Sequence, residues 1–208
     1  MSPPHQPPLA FFRSLPQPCD PPPTEVRNIK GNISEGDKQL NVNVLAHFVS
    51  GGKQFGVGVG RGVRLVEIWI GDGVGGGESG MEVEVGKAKE ARTVCEIVVT
   101  EEMANLFGVL HGACAAYIVD LCSSVPLIAL GIANGLDYSG MSQSMHLIWH
   151  DAAKVGTTLK VVGTNVSVGG RIMAARCEIR DKATDRLFVS AVHTKIHPGA
   201  KRKSTVKL

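Results

Sequence analysis

Residues 105–120 read N-L-F-G-V-L-H-G-A-C-A-A-Y-I-V-D. The stretch opens in a polar, glycine-punctuated turn and runs into small and apolar residues. The spacing predicts a helix over about 112–131, buried on several sides because apolar side chains surround it. Asp120 breaks the pattern: it sets a carboxylate inside the apolar run, with no Lys or Arg in the same helix. An unpaired buried charge is costly, so Asp120 needs a structural or a chemical reason.

The start of this helix has its own chemistry. A helix N-terminus presents unpaired N–H groups and a partial positive charge. Gly112 has no side chain, so a carbonyl oxygen can come close to its N–H, as in an oxyanion site. Gly108 and Gly112 equally suit a plain tight turn, and spacing alone does not choose. His111 and Asp120 lie nine residues apart. Nine steps of about 100° turn them roughly 180° around the helix and separate them by ~13 Å. They cannot meet within one chain. If Asp120 acts beside Gly112, a second copy must supply it, as a two-fold dimer does.

The chain has 208 residues, 43% hydrophobic and 20% charged, enough for one domain with flanking segments. The formal charge of +3 is weak and owes part of itself to Lys201, Arg202, Lys203 and Lys207. A run this short reads as solvated. Aromatic residues are sparse and not interleaved with basic ones, so nucleic acid is not an expected partner. Five cysteines, none in C-x-x-C spacing, argue against a disulfide framework and for a reducing compartment. Cys114 and Cys122 fall in the helix and read as small core residues. The longest apolar run, 125–133, is broken by Gly131 and is short for a bilayer, so no membrane span is expected. No secretory leader is recognised, and the last three residues, V-K-L, match the peroxisomal S-K-L in two positions. An intracellular location follows, the cytoplasm first, with mitochondrion and peroxisome as alternatives.

Nine of the eleven prolines lie in residues 1–24, which predicts a disordered tail with polyproline character. Residues 35–50 carry Leu40, Val44, Leu45 and Phe48 at helical spacing, although the alternation at 41–44 also allows a strand. The glycine run that follows Phe55 fails the G-x-G-x-x-G test from either start and leads into a strand over 63–70, so a phosphate loop is rejected. Residues 71–80 read as a flexible connection, and 81–85 and 91–100 as strands. After the helix come four β-like stretches, 140–150, 157–167, 171–181 and 186–197, with hairpin turns at Gly169-Gly170 and at K-A-T-D, 182–185. One long helix followed by an antiparallel run argues an α+β fold with the sheet wrapped over the helix. His146 and His150 sit four apart on one strand face, ~13 Å from each other, too far to share a metal ion. The same distance dismisses His193 with His197, and no metal site is expected.

The pattern N-x-x-G-x-L-H-G-A-x-x-A-x-x-x-D resembles the signature of hotdog-fold acyl-CoA thioesterases, and more narrowly their phenylacetate-type, thioesterase superfamily member 2-like branch, in a fungal form. The likeness runs from about Arg92 to His197 and takes in Ser142, A-K-V-G at 153–156 and H-T-K at 193–195. It implies that Asp120 is the base or nucleophile acting with water on the thioester carbonyl, and that the Gly112 N–H polarises this carbonyl. It implies that Asn105 and His111 position the thioester and that Ser142 bonds the water or the carboxylate. Asp120 and Ser142 would come from the subunit opposite the Asn105–His111–Gly112 loop, in a homodimer or homotetramer. Weaker implications place CoA against Trp149, Lys154, Gly169, Gly170 and Arg171, with Lys154 and Arg171 set against solvated surface charge as the alternative. No cofactor is implied, CoA being part of the substrate.

The chain departs from the pattern at Ala113, where a second glycine is usual, at Ala152 for a proline and at Ser144 for an aspartate. These bear on substrate preference more than on chemistry. Pro126 inside the helix removes the hydrogen bond to the Cys122 carbonyl and should kink it, with Ser123 at hand for the freed group. The resulting division is a disordered tail over 1–34, a short helix and linker over 35–55, the hotdog domain over 56–198 and a basic tail over 199–208. The activity expected is hydrolysis of acyl-CoA to free acid and CoA. The alternative is an inactive hotdog dimer that binds acyl-CoA or serves as a scaffold. A hotdog hydratase would want an Asp–His pair in one chain's loop after the helix, and none is seen.

Overall fold

The structure, a computed structural model, describes residues 9–15, 26–49, 55–72, 88–169 and 171–197. Its organising element is α4, Gly112–Asn134, longer than the 112–131 expected. The helix begins where the His111 Nδ1 accepts the Ala113 N–H and ends at Gly135 in the left-handed region. Its 23 residues, with an 18-residue window of mean hydropathy 1.8, are by length and composition enough to cross a bilayer, which the 125–133 run alone is not. That apolar surface is already used, since 72% of the window is buried.

The sheet that buries α4 comprises β1 (Lys30–Gly31), β2 (Arg64–Gly71), β3 (Glu90–Val98), β4 (Met141–Trp149), β5 (Thr158–Gly169), β6 (Ile172–Asp181) and β7 (Leu187–Ile196), in the order β1-β2-β3-β5-β6-β7-β4. All pairings are antiparallel except β1 with β2. Ile118, Leu127 and Leu130 of the helix and Ile97, Leu159 and Ile179 of the sheet are among the fully buried side chains. The expected α+β sheet on one long helix is therefore found. The expected four-strand meander is corrected, because only β5, β6 and β7 run as hairpins, while β4 pairs with β7 at the far edge. The turn at K-A-T-D is tight. The link from β4 to β5 is longer and crosses the sheet end, held by Leu110 N–H to Ala153 O and Val155 N–H to Gly108 O.

Close approach of helix and sheet depends on Gly163 in β5. A Cβ there would lie 3.0 Å from the Cys122 carbonyl oxygen and 3.1 Å from the Pro126 ring. The carbonyl that Pro126 leaves without its N–H thus faces a glycine, and Ser123 does not serve it. The Ser123 hydroxyl goes to His193 instead. Cys95, Cys122 and Cys177 are buried free thiols, and Cys114 is half-buried.

The segment over 35–50 resolves as a helix, α2, Glu35–Val49. Ser34 caps it, accepting the Asp37 N–H at 3.1 Å. The disorder expected over 1–34 is corrected in part. Residues 10–14 form a helical turn, α1, and Leu9, Phe12 and Leu15 pack on Val44 of α2 and on Ile128 and Ile132 of α4. These three apolar side chains bury enough surface to hold a short segment against the helices. The rest of the proline-rich stretch, the strand expected at 81–85, most of the connection over 71–80 and the basic tail lie outside the described residues. The glycine run after Phe55 forms one helical turn, α3, Val57–Gly60, before β2. Cβ atoms at Gly56 or Gly60 would come within 2.7 Å of the Tyr117 side chain, so the run accommodates an aromatic ring of α4.

Candidate active site

Asp120 lies at the end of the third turn of α4, on the side facing β4. Its side chain is 43% exposed, so this carboxylate is half-open and not buried within one chain. The Ser142 hydroxyl donates to its Oδ1 at 2.8 Å. Ser142 reaches it because of a β-bulge. The β4–β7 register pairs Met145 with His193 and Ser144 with Thr194, then skips Gln143 and pairs Ser142 with Lys195. Side chains alternate faces along a strand, so without the extra residue Ser142 would point away from the helix.

Behind the carboxylate stand two basic side chains of β7. His193 is fully buried, its Nδ1 2.7 Å from the Ser123 hydroxyl. Its Nε2 lies 3.6 Å from Asp120 Oδ1, too long for a hydrogen bond, and is a buried polar atom without a hydrogen-bond partner. Burial, then the Lys195 charge, pushes this imidazole down to about 4, against the opposing pull of Asp120. At neutral pH it is uncharged. Lys195 is buried as well, and its Nζ donates to the Ser124 hydroxyl at 2.7 Å. Ser124 in turn donates to the Asp120 backbone carbonyl at 2.9 Å. Burial lowers the Lys195 pKa from its ordinary value, and Asp120 pulls it back up. Tyr117, one turn before Asp120, has its phenol pushed up by burial and then by the Asp120 charge.

At the other end of the sequence stretch, the Asn105 Oδ1 accepts the Phe107 N–H at 2.9 Å and shapes the loop. Leu106 and Phe107 at its tip are largely exposed. His111 spends its Nδ1 on the Ala113 N–H, which fixes the other nitrogen, Nε2, as the N–H of the neutral ring. Trp149, at the end of β4, lies beside Gly112, its Nε1 3.7 Å from where a Cβ would be. Asn105, His111, Gly112 and Trp149 therefore gather at the helix start. Asp120 and Ser142 gather eight residues further on, ~12 Å along the axis from Gly112.

The side chains expected to meet CoA are not brought together within the chain. Lys154 is exposed and its backbone bridges to Val109, near the helix start. Arg171 is exposed at the β5–β6 turn, where the Arg171 carbonyl accepts the His197 N–H. Val168, near that turn, joins Asn134 at the helix C-terminus in lining a cavity of about 470 Å³. The two cations thus lie at opposite ends of a helix ~35 Å long. Gly169 closes β5 opposite Ile172, and Gly170 lies outside the described residues.

Sequence reasoning passed over Ser124 and the roles of Ser123, His193 and Lys195 beside Asp120. The signal was present: two hydroxyls three and four residues after Asp120 share its helix face, and His193 and Lys195 share one strand face. What the sequence does not announce is the bulge that sets them beside Ser142.

The family described as the thioesterase superfamily matches residues 107–187. Acyl-coenzyme A thioesterase 13 of Homo sapiens is 28% identical over 108 residues, which is 52% of this chain and 74% of that protein. The Mus musculus protein of the same name is 26% identical over 114 residues, 55% of this chain and 79% of that one. The zebra fish thioesterase superfamily member 2 structure superposes with a TM-score of 0.54 at 21% identity, covering 74% of this chain and 92% of that chain. Residues 107–187 thus resemble the thioesterase superfamily, and the superposition shows that the sheet and its central helix have the hotdog fold.

Proposed function

We propose that the protein hydrolyses acyl-CoA thioesters to the free carboxylic acid and CoA. The observation that carries this reading is the half-open Asp120 carboxylate with one oxygen held by Ser142 at 2.8 Å. Asp120 takes a proton from water as the water oxygen attacks the thioester carbon. Ser142 fixes the carboxylate and leaves its second oxygen for the water. The developing oxyanion is met by the Gly112 N–H at the helix start of a second copy, with Asn105 and His111 of that copy holding the thioester. The tetrahedral intermediate then expels CoA as a thiolate, which takes up the proton. The reaction balances with water alone, and CoA enters as part of the substrate.

Distance supports a second copy. Gly112 and Asp120 of one chain cannot serve one carbonyl, whereas an isologous pair with antiparallel α4 helices places each Asp120 at the other's Gly112. The exposed edge strand β4 supports this arrangement. It presents Met141, Met145, Ile148 and Trp149 to solvent and has no partner on its outer side among the described residues. Such edges invite pairing with another chain. The same two-fold brings the Arg171 end of one copy toward the Lys154 end of the other, where both cations can meet CoA phosphates.

Turnover of acetyl-, octanoyl-, palmitoyl- and phenylacetyl-CoA, followed by thiol release, tests the reading. Asp120→Asn should lower kcat by about 10²–10⁴-fold with the fold retained. Mixed Asp120→Asn and Asn105→Ala subunits should regain part of the lost activity, because a heterodimer keeps one intact composite site. Unchanged turnover in Asp120→Asn refutes the assignment. Binding of all four thioesters without turnover by the wild type selects the non-catalytic, acyl-CoA-binding dimer.

A further inference from the structure

Behind Asp120 stand groups that hydrolysis as described above does not use. Two fully or nearly buried basic residues on adjacent inward positions of β7 are expensive in a core of this kind. One of them, His193, stays neutral. The other, Lys195, is fastened through a single hydroxyl to the helix turn that carries the carboxylate. The chain of contacts is short: Lys195 Nζ to Ser124 Oγ at 2.7 Å, and Ser124 Oγ to the Asp120 carbonyl at 2.9 Å. On the sheet, Lys195 is in register with Ser142, which itself bonds Asp120 Oδ1, so cation, hydroxyl and carboxylate converge from three elements.

We propose that Lys195 is a positioning residue for the hydrolysis, a buried amine held by Ser124 that fixes the helix turn carrying Asp120 and so aims its carboxylate at the water. The proposal rests on Asp120 being the group that activates water. The titratable neighbours support it element by element. From α4 come Asp120 itself, Tyr117 one turn before it, and the Cys114 and Cys122 thiols, both held protonated by raised pKa values. From β7 comes His193, uncharged at neutral pH and beside the same carboxylate. From β4 the residue in register is Ser142 and from β6 it is Met173, neither of which titrates. Lys195 is thus the basic side chain tied to the Asp120 turn within the described part of the subunit. The sheet orders the turn through Lys195 and the carboxylate through Ser142.

The test is kcat and KM for octanoyl-CoA, measured separately in the wild type and in variants checked for folding by their melting midpoints. In Lys195→Met kcat should fall by about tenfold or more with KM little changed. Ser124→Ala, which removes the anchor of the amine, should lower kcat in the same way by less, and it stands in if Lys195→Met does not fold; Ser124→Thr, which keeps the hydroxyl, should restore kcat toward the wild type. A folded Lys195→Met or Ser124→Ala with wild-type kcat overturns the proposal and makes Lys195 a packing residue. A wild type with no turnover on any acyl-CoA removes the hydrolase reading, and this proposal with it.

Discussion

His193 should make the fold acid-labile in a defined pH window. Its imidazole falls from an ordinary 6.5 to about 4 because it is fully buried and shares its surroundings with Lys195. The folded state therefore binds this proton less readily than the unfolded chain. The sign follows: the contribution is fully present above about 6.5 and is lost as pH falls through about 4. At about 1.4 kcal/mol for each tenfold difference in proton affinity, the loss is about 2 kcal/mol at pH 5 and about 3 kcal/mol at pH 4. For a chain of this size that is roughly 6–12 °C in the melting midpoint at pH 4. The assay is thermal or urea denaturation from pH 7 to pH 4, at one protein concentration, for the wild type and His193→Gln. Gln keeps a polar partner for Ser123 and does not titrate, so its curve should lack this component. Wild-type and variant curves that fall in parallel would refute the reasoning, since the acid sensitivity would then belong to other groups.

Two further substitutions probe the packing that carries the site. Gly163→Ala places a methyl 3.0 Å from the Cys122 carbonyl and 3.1 Å from the Pro126 ring, and should cost about 1–3 kcal/mol by pushing α4 off the sheet; an unchanged melting midpoint would show that the helix has slack there. Phe12→Ala removes the most buried side chain of the N-terminal turn from its seat on Val44, Ile128 and Ile132. Trypsin should then cut faster at Arg13 while the melting midpoint of the domain moves little, because the turn can undock locally; equal cleavage rates would mean that Phe12 does not hold the turn down.

Much of the fold was legible because it is local. The four strands after the helix were found within one to two residues of their ends, since glycine and K-A-T-D breaks interrupt apolar runs of strand length. The start of α4 at Gly112 was legible too, as a glycine after a polar turn. Their order in the sheet was not. Whether β4 pairs with β5 or with β7 depends on how eight linking residues cross the sheet end, and Leu110 and Gly108 decide that from forty residues upstream. The density of prolines hid Leu9, Phe12 and Leu15, whose spacing of three puts them on one face of a short turn. In α2, the alternating Asn and Val left strand and helix open until Ser34 and Asp37, three apart, are recognised as a cap.

Asp120 shows most clearly what a single element cannot reveal. A helix searched for its own counter-charge offers none, and its geometry alone sets Asp120 too far from Gly112 to share a site within one chain. Lys195 lies seventy-five residues away in sequence. It reaches the Asp120 turn because β7 runs under α4, and Ser142 joins it because one residue bulges from β4. On the proposed reading each chain carries one half-site, with the Asp120 carboxylate, the Ser142 hydroxyl and Lys195 together, and a second copy would supply the loop of Asn105, His111 and Gly112. This separates two kinds of failure. Changes at Lys195, Ser124 or Ser142 should alter the aim of Asp120 in the single subunit, whereas changes on the outer edge of β4 should leave Asp120 in place and impair turnover through loss of the second copy.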